Sequence, residues 1–214
     1  MTYVRRAFIR AALACGALAL AATLGGAAGA QAPAPAAIAP PLAGTALRDA
    51  LQRGGYVLYF RHTSTDFGQN DDGMTSFDDC TKQRNLTDAG RAEARAIGAA
   101  IARLKIPVGE VLASPYCRTL ETGRLIFGHA TATQAVRGGP AVPDDPDRYS
   151  ALKKLLSTPV TAGVNLVIAS HGNPFRAVTG TSYLAEGEAA VIEPLGAQGF
   201  RIVARITKDG WASL

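Results

Sequence analysis

Short unbroken apolar runs punctuate this chain, and two of them end on histidine. Val57-Leu-Tyr-Phe60 runs into Arg61-His62, and Leu166-Val-Ile-Ala-Ser170 runs into His171-Gly172. Runs of this length without polar alternation are what strands covered on both faces require. A third run, Val111-Leu-Ala113, breaks at Ser114-Pro115 and is followed by Arg118. Between the runs the spacing becomes helical. Thr45 stands where it can cap a helix whose Leu47 and Leu51 share a face, stopped by Gly54-Gly55. Thr87 caps a longer helix reaching about Leu104, with Ile97, Ala100, Ile101 and Leu104 on one side, and Pro107 ends it. Residues 119–127 and 148–156 read as shorter helices. Residues 189–193 and 200–207, separated by a turn rich in Pro and Gly, read as a terminal hairpin. Residues 63–84 are polar, with Gly68, Gly73 and five aspartates, and read as a long loop. Residues 131–147 are rich in turn formers as well. The order of elements predicts an α/β fold: a three-layer sandwich with a mostly parallel central sheet, helices on both faces and a C-terminal hairpin.

The pattern also divides the 214 residues into three parts. Residues 1–30 carry Arg5, Arg6 and Arg10, then a short apolar run and Ala28-Gly29-Ala30, the features of a removable signal peptide. The paired arginines admit a twin-arginine signal or an ordinary secretory one. Residues 31–43 are almost all Ala and Pro, which suits an extended tether. Residues 44–214 are left for the folded domain. The formal charge of +5 comes from 22 basic and 17 acidic residues; without the three leader arginines, 19 face 17 and the balance is +2. A basic tract for nucleic acid is therefore not evident, and stable membrane insertion is not expected once the leader is removed. The expected location is periplasmic or secreted. Cys80 and Cys117 remain as an even pair in an oxidising compartment, which favours a disulfide over two unrelated buried thiols.

In an open α/β sheet, ligands bind beyond the carboxyl ends of the strands. Two imidazoles (His62, His171) and two guanidiniums (Arg61, Arg118) gathered at one sheet edge suit a compact dianion, phosphate first. Competing uses fit less well. Arginines beside the histidines would repel a divalent cation, even with Asp66, Asp71 and Asp72 nearby, and no His-x-x-x-His or Cys-x-x-Cys spacing occurs. No cofactor is implied. Ser170 lacks a G-x-S-x-G elbow, so a serine-hydrolase reading fails. His129, after Gly128 at a helix end, reads as a surface or capping residue. Arg118 could also pair simply with Glu121.

Four motifs in order resemble the histidine phosphatase (phosphoglycerate mutase-like) superfamily. They are Tyr59-Phe-Arg61-His62-Thr63, Asn85-Leu-Thr-Asp-Ala-Gly90, Ser114-Pro-Tyr-Cys-Arg118, and Ala169-Ser-His171-Gly172. The resemblance implies that His62 is a nucleophile forming a phosphohistidine, with Arg61, Arg118 and His171 binding the phosphoryl oxygens. It implies a metal-independent phosphomonoesterase; the expected compartment alone points to a small-molecule or envelope phosphate monoester as its substrate. A non-catalytic phosphate-binding module and a mutase-like phosphotransferase are the alternatives. Two positions depart from the family pattern. Thr63 replaces the usual Gly, and its hydroxyl could add a hydrogen bond to phosphate. Gly172 stands where one branch carries its acid. The general acid is then expected at Glu188, with Asp144 or Asp145 as alternatives.

Overall fold

The computed structural model describes residues 40–138 and 147–214. Its centre is β1 (Val57–Arg61), flanked by β4 (Asn165–Ser170) in parallel and β5 (Ala189–Pro194) in antiparallel pairing. The sheet continues from β4 to β2 (Val108–Ala113) and β3 (Thr131–Ala132), both parallel, and from β5 to β6 (Phe200–Ile206), antiparallel. The full order is β3-β2-β4-β1-β5-β6, a six-stranded sheet whose parallel part is closed by the expected hairpin.

Side chains in β1 alternate between two separate cores, as strand geometry requires. Leu58 and Phe60 join Val111, Val167 and Val191 on one face, against α1 (Gly44–Arg53), α2 (Asp88–Arg103) and α3 (Cys117–Phe127). Trp211 closes this layer, its ring stacked 5.6 Å from Phe60. Val57 and Tyr59 join Ile168, Ala190 and Ile192 on the other face, against Leu152 and Leu156 of α4 (Ser150–Ser157) and Phe175 of α5 (Gly172–Thr179). Three layers result, and α/β is the fold class.

Caps decide the helix limits. Thr87 caps α2 as the sequence predicts, its hydroxyl accepting the Gly90 amide at 2.9 Å. Thr45 does not cap α1; the helix begins at Gly44, behind Ala43. β2 begins at Val108, ahead of Val111, where a register shift against β4 lets the half-buried Val108-Gly-Glu segment join. α3 starts at Cys117, two residues earlier than its apolar spacing suggests. The helix α5 and the two-residue β3 have no counterpart in the sequence reading. The tether expected to reach residue 43 has ended by Leu42, whose amide donates to Val203 of β6 at 2.7 Å. No helix among the described residues is long and apolar enough to cross a membrane. The expected leader and most of the expected tether lie outside the described residues.

Candidate active site

β1 and β4 end level with each other, Arg61 facing Ser170 at the last paired position. The next residue of each chain is a histidine, and the two imidazole rings lie 5.6 Å apart edge to face. α3 and α5 both begin at this edge, so the positive ends of two helix dipoles meet there. Arg61, His62, Arg118 and His171 line one cavity of about 830 Å³. The four residues nominated for phosphoryl chemistry are therefore brought together.

His62 is almost completely buried, and its Nδ1 lies 3.0 Å from the Thr63 carbonyl. A carbonyl can only accept, so Nδ1 carries the proton and Nε2 keeps its lone pair. Burial, then the charges of Arg118, Arg61 and Arg84, pull the His62 pKa down to about 3 against the opposing pull of the Thr63 carbonyl. His171 is pushed well below the ordinary imidazole range by burial and by Arg118. Both rings are neutral at neutral pH. His171 is held on every side. Its Nε2 lies 2.8 Å from the Ser114 hydroxyl, its ring meets Tyr116 at 5.0 Å, and its carbonyl accepts the Tyr59 hydroxyl at 2.8 Å. Gly138 completes the clamp: a Cβ there would come within 2.3 Å of His171 Cδ2.

Arg84 is a third guanidinium in the same cavity. It precedes the Asn85-Leu-Thr motif and ends the long loop, so loop polarity concealed it in the sequence. Burial and repulsion from Arg118 lower its pKa, a sign of crowded positive charge. The Nε atoms of Arg61, Arg84 and Arg118 are all buried, with no hydrogen-bond partner among the described residues. Buried polar groups are nearly always satisfied. Three guanidiniums crowded on one cavity call for an anion.

Two nominated residues do other work. Thr63 is fully buried, and its hydroxyl lies 3.4 Å from that of Thr122, to which the Thr63 amide also donates. Thr63 serves the site through its carbonyl, not through a phosphate contact. Glu188 accepts from Arg205 at 2.7 and 2.9 Å and from the Ala185 amide at 2.7 Å. Burial raises the Glu188 pKa, but the Arg205 fork outweighs it and the net shift is downward. A carboxylate so held stays ionised at neutral pH, with no proton to donate. Glu186, two residues earlier, lies 3.8 Å from His62: it accepts from the Thr65 hydroxyl at 2.6 Å and lies 3.5 Å from Arg61. Asp144 and Asp145 lie outside the described residues.

Arg118 does not pair with Glu121, which takes Arg91 at 2.6 Å instead. His129 is exposed, as expected of a surface residue. Cys80 and Cys117 form a disulfide, Cα atoms 5.7 Å apart, tying the long loop to the first residue of α3. Among the described residues no group of three or more His, Cys, Asp or Glu side chains is placed to hold a metal.

This fold is similar to that of solved structures of histidine phosphatases. Two solved structures of SixA carry the likeness. One is SixA from Agrobacterium tumefaciens, with a TM-score of 0.50 and 16% identity over 72% of this chain and 98% of that one. The other is the protein histidine phosphatase SixA complexed with tungstate, with a TM-score of 0.50 and 18% identity over 72% of this chain and 97% of that one. The sequence matches no family model and no curated relative.

Proposed function

We propose that the protein is a phosphomonoesterase that works through a phosphohistidine on His62. The observation that carries this reading is the gathering of three guanidiniums, Arg61, Arg84 and Arg118, with the neutral imidazoles of His62 and His171 on the wall of one cavity. A phosphate monoester dianion brings negative charge and acceptors to that cluster. Arginine forks match phosphoryl oxygens in geometry as well as charge. His62 Nε2 attacks phosphorus, and the bond to the leaving oxygen breaks as the N–P bond forms. Fixed positive charge at Arg61, Arg84 and Arg118 stabilises the equatorial oxygens during transfer. Water then attacks phosphorus, returning the imidazole and releasing phosphate. Each step balances without a metal.

The leaving alkoxide needs a proton. Asp71 and Asp72 are the described carboxylates on the cavity wall, and both Asp71 oxygens are bonded to Arg118. Asp72 therefore takes the place of Glu188 as the acid in this reading. The ester is a small molecule or an exposed envelope group. Export to the periplasm or medium belongs to the same proposal, supported by the leader sequence and by the disulfide. The deciding experiment is rapid quench, without acid, of full-chain protein with labelled p-nitrophenyl phosphate. Label retained on His62, lost in His62→Ala together with turnover, is the expected result. Label on a serine, or full turnover by His62→Ala, would overturn the mechanism.

A further inference from the structure

The long loop after His62 does more than cover the cavity, because one of its aspartates takes hold of a phosphate-site arginine. Asp71 Oδ1 accepts from Arg118 Nη1 at 2.9 Å and Oδ2 from Nη2 at 3.0 Å, a two-pronged pair on a guanidinium that is almost fully buried. The other Nη1 hydrogen goes to the Arg84 carbonyl at 3.2 Å. The Arg84 amide in turn donates to Asp71 Oδ1 at 2.9 Å, so the last residue of the loop is fastened to the same carboxylate. The Arg118 plane also lies 4.4 Å over the Tyr116 ring.

A guanidinium has five N–H donors. Asp71 and the Arg84 carbonyl take three of the five in Arg118. What remains is Nε–H and one Nη2 hydrogen, and these two lie on the same lateral edge of the fork. Nε is the buried, unpartnered atom already described. The carboxylate thus occupies the end edge of the guanidinium and leaves the lateral edge, itself a matched pair of parallel donors, without an acceptor.

We infer that Asp71 is a positioning residue, which fixes Arg118 by its end edge so that the lateral edge is aimed at the phosphoryl group. The inference rests on the phosphatase reading and deepens it: the loop becomes a working part of the anion site. The disulfide supports this arrangement. It joins Cys80 to Cys117, the residue directly before Arg118, and Gln83 from the same loop accepts the Cys117 amide at 2.9 Å. Loop and arginine are thereby held together by covalent, polar and ionic ties within one patch.

A double-mutant cycle on the full chain tests it, with Asp71→Asn, Arg118→Ala and the pair. Asn keeps the shape of Asp71 and an acceptor for the Arg84 amide, and the melting temperature of each variant monitors folding. The readouts are the Kd for orthovanadate and kcat/KM on p-nitrophenyl phosphate and β-glycerophosphate. Asp71→Asn alone should weaken vanadate and lower kcat/KM by about tenfold, the size of a charged hydrogen-bonded pair, and equally for both esters. In the Arg118→Ala background it should change neither by more than about twofold. A tenfold loss that persists without Arg118 overturns the inference, as does a wild-type-like Asp71→Asn. A loss confined to β-glycerophosphate would make Asp71 the acid instead and overturn it too. If the wild type itself neither binds vanadate nor turns over either ester, the phosphatase reading falls and takes the inference with it. Failure of the inference alone leaves wild-type binding intact.

Discussion

Acid should loosen this fold through His62. His62 is buried, and its pKa in the folded chain is pulled from 6.5 to about 3, chiefly by burial and then by three arginines. In the unfolded chain it returns to the ordinary value. Between pH 6.5 and about 3 the unfolded chain therefore holds a proton that the folded chain does not, and stability falls as pH is lowered through that window. From pH 6.5 to 4.5 the loss from His62 alone should be roughly 2 kcal/mol, a large share of the stability of an ordinary domain. His171, shifted the same way, adds to it. The perturbation is His62→Gln, which removes the titrating group while keeping a polar side chain. Urea melts of both proteins at pH 7.5, 6.5, 5.5 and 4.5, in buffers free of phosphate and sulfate, give the two stability profiles. The profiles should converge or cross toward low pH, the variant losing roughly 2 kcal/mol less than wild type over the lower two units. Adding phosphate should recover part of the wild-type loss, because an anion bound to the folded form stabilises it. Parallel profiles, or an NMR titration placing His62 near 6.5, would refute the reasoning.

Arg118→Lys should cost on the order of 10²-fold in kcat, since an ammonium cannot reproduce the paired donors of a guanidinium; a loss under threefold in steady-state assays would remove Arg118 from the site. Gly138→Ala should lower kcat/KM sharply with Arg118 untouched, because its Cβ would come within 2.3 Å of the anchored His171 ring; unchanged kinetics would show that the ring can give way. Reducing the Cys80–Cys117 bond, which closes a 37-residue separation, should lower stability by roughly 4 kcal/mol, read as the shift in urea midpoint with and without dithiothreitol. Asp72→Asn should slow β-glycerophosphate far more than p-nitrophenyl phosphate, whose leaving group needs no proton, whereas Glu188→Gln should show no such leaving-group dependence.

What could be read in advance was set by local rules, and what could not was set by contacts between distant segments. β1 and β4 are legible because strands covered on both faces must be continuously apolar, and their ends locate His62 and His171. Thr87 is legible because capping depends on a side chain three residues from its partner amide. β3 is too short to have a pattern. α5 begins at His171-Gly172 and has a proline in its first turn, a helix-start signal overshadowed by the motif it follows. The pairing of Glu188 is not legible because Arg205 reaches it from β6, whose register places Ala190 opposite Arg205. Arg84, Ser114 and Asp71 matter only once the loop folds back onto α3 and β2. No periodicity announces that.

The last rung of the β1–β4 ladder joins Arg61 to Ser170, so each histidine is the first residue beyond the same rung. Neighbouring strands stand about 4.8 Å apart, and the two rings are separated by 5.6 Å. The spacing of the two histidine backbones is thus set by backbone hydrogen bonding, which side-chain replacement in the surroundings leaves unchanged. One inserted residue in either strand would turn its histidine to the opposite face of the sheet. Residues 63–86 are a stretch of the cavity wall that the sheet does not calibrate, and they bring Gln69, Asn70, Asp71, Asp72, Met74 and Arg84 to it. The strands serve as the fixed jaw of a vice, and the loop as the jaw that can be reshaped.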